Sequence, residues 1–295
     1  MARSAEHIVQ GTLQVASLPT IYVKIDEALN SANCSNQYLV DILSEDTALS
    51  ARLLRLANSA MFNFPSKIDS VSQAITIIGT QQLRALVLAS SVMKLFKDIP
   101  EELINMEMFW RHSIACAVSA RIIASLRRAA NVEYFFLAGL LHDIGRLIMF
   151  KEVPAEISTA MQQAKQTQQL LFKIEKEILG FDHAKLGGML LKEWRLPAQL
   201  IDSTAFHHNP GRSADFKDEV AIIHVADIIA NSLQLGSSGE HLIPTLDNQA
   251  WDCIGLPDAI INTVIDELHK QYTIAVDFVL GASESDEAII SSGAA

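Results

Sequence analysis

The stretch YFFLAGLLHDIGRLIMF, residues 134–150, carries apolar side chains on every side of a helix. Leu137, Leu140, Leu141, Ile144 and Ile148 fall on one face, while Phe135, Phe136, Met149 and Phe150 cover the other. Such a segment has no face to give to water, so the chain must surround it with other elements. Within it stand His142, Asp143 and Arg146. Charged groups in such surroundings persist only when they are paired, hydrogen-bonded or bound to a metal. The fold must therefore bring polar partners to this point.

The rest of the chain supplies helices. Apolar residues recur at three- and four-residue spacing nearly throughout, with short breaks at Gly, Pro, Ser and Asn, and strands are hard to find. The expected fold class is all-α: a multi-helix core packed with an N-terminal helical region. Ser35 can cap a helix carrying Leu39 and Ile42, and Asp46 with Thr47 can open another carrying Leu49, Leu53 and Leu56. The expected blocks are 1–100, an N-terminal helical region; 101–235, the core; 236–280, a closing helix started by Pro257 and Asp258; and 281–295, a disordered tail. The chain contains no internal repeat, Gly-rich phosphate loop or low-complexity linker, which favours one continuous core.

Composition narrows the function classes. With 295 residues, 49% of them hydrophobic, the chain can bury a sizeable core. A net charge of -11 and a pI near 5.2 argue against nucleic-acid binding, which needs clustered Lys and Arg. The segment SVSQAITIIGTQQLRALVLASSVMKLF has a helix-turn-helix outline, with Gly79 ending one helix and Thr80 capping the next. From Leu83 to Phe96 only Arg84 and Lys94 are charged, so that second helix belongs in a core rather than a DNA groove. Cys34, Cys116 and Cys253 are few and far apart, as in reduced cytosolic proteins. The N-terminus lacks a signal-peptide core, and no run of about 18 uncharged apolar residues is present. The expectation is a cytoplasmic protein with neither DNA nor membrane as partner.

The partners for residues 142–146 are sought among the other polar groups on apolar helices. His224, Asp227 and Asn231 form a narrow stripe on DEVAIIHVADIIANSLQL. His112 lies in FWRHSIACAVSARII; Asp182 and His183 follow Gly180 at a helix start; His207 and His208 precede Asn209 and Pro210. Each has a structural explanation alone: Asp182 as an N-cap, His207 and His208 at the negative end of a helix dipole, Asp143 and Arg146 as an ion pair. Six of the nine histidines lie between residues 112 and 224, and separate structural uses do not explain that concentration. Converging imidazoles and carboxylates suit a divalent transition metal such as iron, manganese or zinc, and such an ion draws water toward ionisation for attack on phosphorus.

The order His112, then His142–Asp143, then Asp227 resembles the H…HD…D signature of the HD superfamily of metal-dependent phosphohydrolases. ILSEDTALSARLLRLANSAMF, AITIIGTQQLRALVLAS and FWRHSIACA further resemble the HDOD family, a helical signalling branch of that superfamily, over about residues 12–235. The resemblance implies an all-α fold, bacterial signal transduction and a signalling protein partner. It also implies a first metal at His112, His142, Asp143 and Asp227, with Asp143 and Arg146 as the catalytic pair if the protein hydrolyses a nucleotide or other phosphoester. His183, His207 and His208 resemble the further ligands of the related HD-GYP phosphodiesterases, which implies a second ion bridged by Asp143. The chain departs from HD-GYP enzymes where specificity for cyclic di-GMP lies: no GYP follows His207 and His208, and Arg146 replaces a common lysine. Arg146 would contact a phosphate oxygen or hold a carboxylate in place, while His224 and Asn231 stand behind the ligands.

Overall fold

The computed structural model describes residues 4–15, 17–31, 34–58 and 67–280. Among the described residues every regular element is helical. In chain order the helices are α1 (Ala5–Val15), α2 (Thr20–Asn30), α3 (Asn36–Ser44), α4 (Thr47–Ala57), α5 (Val71–Ile78), α6 (Thr80–Leu95), α7 (Met106–Leu126) and α8 (Val132–Leu141). They continue with α9 (Ile144–Glu152), α10 (Pro154–Thr167), α11 (Leu171–Leu179), α12 (His183–Glu193), α13 (Ala198–Phe206), α14 (Lys217–Ser232), α15 (Asn248–Ile254) and α16 (Ile260–Leu280). The segment 281–295, expected as a tail, lies outside the described residues.

By their contacts the described residues form two compact units, those within 19–91 together with 269–280, and those within 4–18 together with 92–268. Helix α1 thus joins the larger unit, where it packs on α9 and α12.

In the smaller unit, short-range capping sets the helix starts. Ser35 accepts the Tyr38 amide and Asp46 accepts the Leu49 amide, each satisfying an N–H that the helix leaves open. Leu39, Ile42, Leu43, Leu49, Leu53 and Leu56 face the core. Gly79 ends α5 at φ +86° and lets the chain turn by 111° into α6. Leu83, Leu86, Val87 and Leu88 are buried, as their sequence predicts. Arg84 is taken up by Asn30 and by Asp26, at 3.1 and 3.2 Å. Among the described residues no single helix is long and apolar enough to cross a membrane; the bent pair α5–α6 meets that test only together.

The larger unit is built around α7, which packs on α8 and α14, while α12 packs on α9 and α13. Gly139 of α8 lies against the Ala117 backbone of α7, where an added Cβ would stand 2.6 Å from the Ala117 Cα. Residues 134–150, read above as one helix, are two: α8 ends at Leu141, and α9 begins at Ile144. Asp143 sits between them at φ -96°, ψ 9°. The break has a chemical consequence, because neighbouring residues in one helix point in different directions. Here the His142 Nε2 and Asp143 Oδ2 atoms stand 3.3 Å apart.

Candidate metal centre

Five segments of the larger unit converge on one buried point. His112 comes from the second turn of α7, His142 and Asp143 from the break between α8 and α9, and His183 from the first position of α12. His207 and His208 follow the end of α13, and Asp227 comes from the middle of α14. They form two groups, His112–His142–Asp227 and Asp143–His183–His207–His208, in each of which the ligand atoms lie within 4.8 Å of one another. Asp143 links them: its Oδ2 is 3.3 Å from His142 Nε2 and its Oδ1 is 2.9 Å from His183 Nε2. Asp227 Oδ1 stands 3.1 Å from His112 Nε2 and 3.5 Å from His142 Nε2. All these side chains are buried except that of His208, which is half-buried and stacked on Phe172 at 4.2 Å.

The outer ring nitrogens of His142, His183 and His207 are already used, while Nδ1 of His112 has no hydrogen bond. His142 Nδ1 donates to the Gly139 carbonyl at 2.7 Å and His207 Nδ1 to the Thr204 carbonyl at 2.8 Å. His183 Nδ1 donates to Glu175 Oε2 at 2.6 Å. Each bond turns Nε2 inward, the ring orientation that a ligating imidazole requires once Nε2 is deprotonated. His112 Nε2, His142 Nε2 and Asp143 Oδ1 are buried without a hydrogen bond, a costly state that a cation among them would relieve. The donor set of nitrogen and carboxylate oxygen fits a divalent transition metal.

Electrostatics agree with that fit. Burial alone would raise both carboxyls, but Arg146, His142 and His183 hold Asp143 well below the usual range, and His112 and His142 do the same for Asp227. Burial opposes charge on His142, yet Cys116, Asp143 and Asp227 raise it well above the usual imidazole value. Burial and Arg146 also oppose charge on His183, but Glu175 and Asp143 lift it to about 9. His207 is pushed down to about 3 by burial and by His142 and His183, and His208 well down by burial, His207 and His183. Without a metal, the carboxylates Asp143 and Asp227 thus face protons on His142 and His183, a charge balance that a divalent ion would restore on replacing them.

Four other sequence candidates stand outside the ligand groups. His224 is fully used: Nδ1 donates to the His207 carbonyl at 2.7 Å and Nε2 accepts the Asp247 amide at 3.0 Å, so it anchors the turn that carries His207 and His208. Asn231 donates to Asp227 Oδ1 at 2.8 Å and orients that carboxylate. Arg146 is 1% exposed and donates from Nη1 to the Ser238 carbonyl and hydroxyl at 3.0 and 2.9 Å. Its Nε stands 3.2 Å from His183 Nδ1, 3.5 Å from Glu175 and 3.9 Å from Asp143. Asp182 is the N-cap of α12, accepting the Lys185 amide.

Sequence reasoning missed Glu175. It is fully buried, and its Oε2 accepts both the ring Nδ1–H and the backbone N–H of His183. The available signal was its place in the apolar series Leu171, Ile174, Glu175, Ile178. Cys116, also buried, lies one helical turn beyond His112; burial pushes its thiol up.

The family model of the HDOD domain matches residues 15–210. An uncharacterized protein of Treponema pallidum (strain Nichols) is 22% identical over 72% of this chain, and the chain spans 42% of that relative's length. Among solved structures, an HDOD domain protein of unknown function from Geobacter sulfurreducens is 24% identical with a TM-score of 0.75, over 93% of this chain and 95% of that one. A candidate phosphohydrolase from Shewanella amazonensis SB2B is 25% identical with a TM-score of 0.72, over 94% and 98%. A candidate signal transduction protein from Marinobacter aquaeolei VT8 is 19% identical with a TM-score of 0.72, over 95% and 61%.

Proposed function

The chain belongs to the HDOD domain family, and from that premise we propose that it is a bacterial signal-transduction module with an HD-type metal site, acting mainly through protein partners. The observation that carries the metal reading is the ring orientation: His142, His183 and His207 each set Nδ1 within 2.8 Å of an outer oxygen and turn Nε2 inward, toward Asp143 or Asp227. The ligand set is His112, His142, Asp143 and Asp227 for one ion, with His183, His207 and His208 for a second that shares Asp143. Near-complete burial of these side chains favours a structural or sensing ion over an open catalytic one, since a catalytic site keeps a position open to substrate.

The second reading is a metal-dependent phosphohydrolase acting on a nucleotide or other phosphoester. Its support is His208, half-buried against Phe172, which gives the cluster one side nearer to solvent. A bound divalent ion supplies positive charge that activates water and steadies charge on phosphoryl oxygens. In that reading Asp143 holds the reacting centre together. Arg146, committed to Ser238 and facing two carboxylates, offsets their charge rather than reaching for phosphate.

Elemental analysis of protein purified without chelator or histidine tag tests the metal reading, with Asp143→Ala alongside. About one or two equivalents of iron, manganese or zinc, lost in a folded variant, are expected. Absence of metal from the wild type after reconstitution sinks it. Turnover of phosphoesters by the loaded wild type and not by Asp143→Ala would favour the enzyme; inert loaded protein with a partner bound by both forms would favour the signalling module.

A further inference from the structure

His183 differs from the other inward-facing histidines in where its helix places it. His142 and His207 follow the last residues of α8 and α13, and each finds the carbonyl three residues back, Gly139 or Thr204, to take its Nδ1 proton. His183 opens α12. A helix start presents unpaired N–H donors and offers no such carbonyl, so a local backbone solution is unavailable to His183. The acceptor has to come from another element, and it comes from the buried carboxylate of Glu175 on α11.

Glu175 grips His183 at two points with one oxygen, the ring Nδ1–H at 2.6 Å and the backbone N–H at 2.9 Å. Holding ring and backbone together fixes the rotation of the imidazole, and Nε2 then stands 2.9 Å from Asp143 Oδ1, 3.4 Å from His207 Nε2 and 3.1 Å from His208 Nε2. The other oxygen, Oε1, faces Arg146 Nε at 3.5 Å, and that Nε stands 3.2 Å from His183 Nδ1, so Glu175 at 2.6 Å is the nearer of the two groups at this nitrogen. Capping accounts for only part of this buried acid: Asp182 accepts the Lys185 amide and Glu175 the His183 amide at the start of α12, but the 2.6 Å bond to the ring is no part of a cap.

We infer that Glu175 is a positioning residue of the metal centre: it takes the Nδ1 proton of His183 and so commits Nε2 to the ion shared with Asp143, His207 and His208. The inference rests on the metal reading above. Partners of this kind behind a ligating histidine are worth roughly 10–100-fold in metal affinity.

The test measures zinc affinity of the full chain by chelator competition for wild type, Glu175→Gln and Glu175→Leu, with histidine nitrogen NMR of the zinc-loaded protein. Glu175→Leu is expected to lose about 10–100-fold in affinity, and Glu175→Gln, whose amide oxygen still accepts, distinctly less. The NMR is expected to place a proton on His183 Nδ1 and zinc on Nε2, a signature that a purely structural role would not set. A folded Glu175→Leu that binds zinc as tightly as wild type overturns the inference, and so does zinc on Nδ1. If Glu175→Leu does not fold, the ring assignment in wild type and the affinity of Glu175→Gln decide. Wild type that takes up no zinc overturns the metal reading itself, whereas zinc bound equally by all three forms overturns the role of Glu175 alone.

Discussion

Gly145 of α9 lies directly against the backbone carbonyl of His183 at the start of α12. A Cβ on Gly145 would also stand 2.7 Å from the Gly187 amide nitrogen. The two helices therefore cross backbone to backbone beside the ligand cluster, and this crossing sets the 2.9 Å approach of Asp143 and His183.

Gly145→Ala forces that crossing apart, because the obstructing atoms are backbone and no side-chain rotation absorbs the methyl. Overpacking of this kind costs about 1–3 kcal/mol. Thermal unfolding of metal-free protein should show a lower Tm, and zinc should bind more weakly. An unchanged Tm together with unchanged zinc affinity would show that the helices separate freely.

Metal loading should release protons. His142 is held well above the ordinary imidazole value and His183 at about 9, so below pH 9 a metal must displace protons to reach Nε2. Zinc affinity is expected to fall as pH drops from 9 toward the ordinary imidazole pKa of about 6.5. Calorimetry in buffers of different ionisation enthalpy counts the protons. Binding with no proton release would contradict this charge balance.

Glu240 caps a helix from a distant loop. Leu170, at the N-cap position of α11, makes no side-chain cap, and Glu240 Oε2 accepts the Leu171 amide at 2.7 Å instead. Its Oε1 accepts the amides of His241 and Leu242. Glu240→Ala should cost about 1–2 kcal/mol in denaturant unfolding and speed amide exchange at Leu171. Glu240→Gln, which keeps one acceptor, should lose less. Unaltered exchange at Leu171 would mean that water replaces the cap without cost.

The Cys253 thiol is pushed up to about 11 by burial and by Asp218, to which it donates at 3.0 Å. Only the thiolate is nucleophilic, so Cys253 should alkylate slowly near neutral pH. Asp218→Asn removes the opposing charge and leaves Arg127 nearby, which should lower the pKa and speed alkylation. Residue-level mass spectrometry reads this, and equal rates in both forms would exclude Asp218 as a cause.

Particular residues show how much was legible in the chain. Ser35, Asp46 and Asp182 are caps where their neighbours say they should be, because a cap is settled within about three residues. His112 and His224 look alike in sequence, each an imidazole on an apolar helix. One is a ligand candidate, while the other is saturated by the His207 carbonyl and the Asp247 amide, groups 17 and 23 residues away. Glu175 was missed for the same reason: its acid is visible in an apolar series, but the ring it holds is on another helix.

The sequence by itself determined the helical character, the starts of the helices capped by Ser35, Asp46 and Asp182, and the set of residue types available for a metal, since periodicity, capping and side-chain chemistry are local properties. The tertiary structure alone decided which of those residues meet. It broke residues 134–150 so that His142 and Asp143 share one target, and it crossed α9 over α12 at a glycine. It also assigned Arg146 to Ser238, 92 residues along the chain. Those outcomes depend on packing between distant segments, where the energy of each contact exists only once the others have formed.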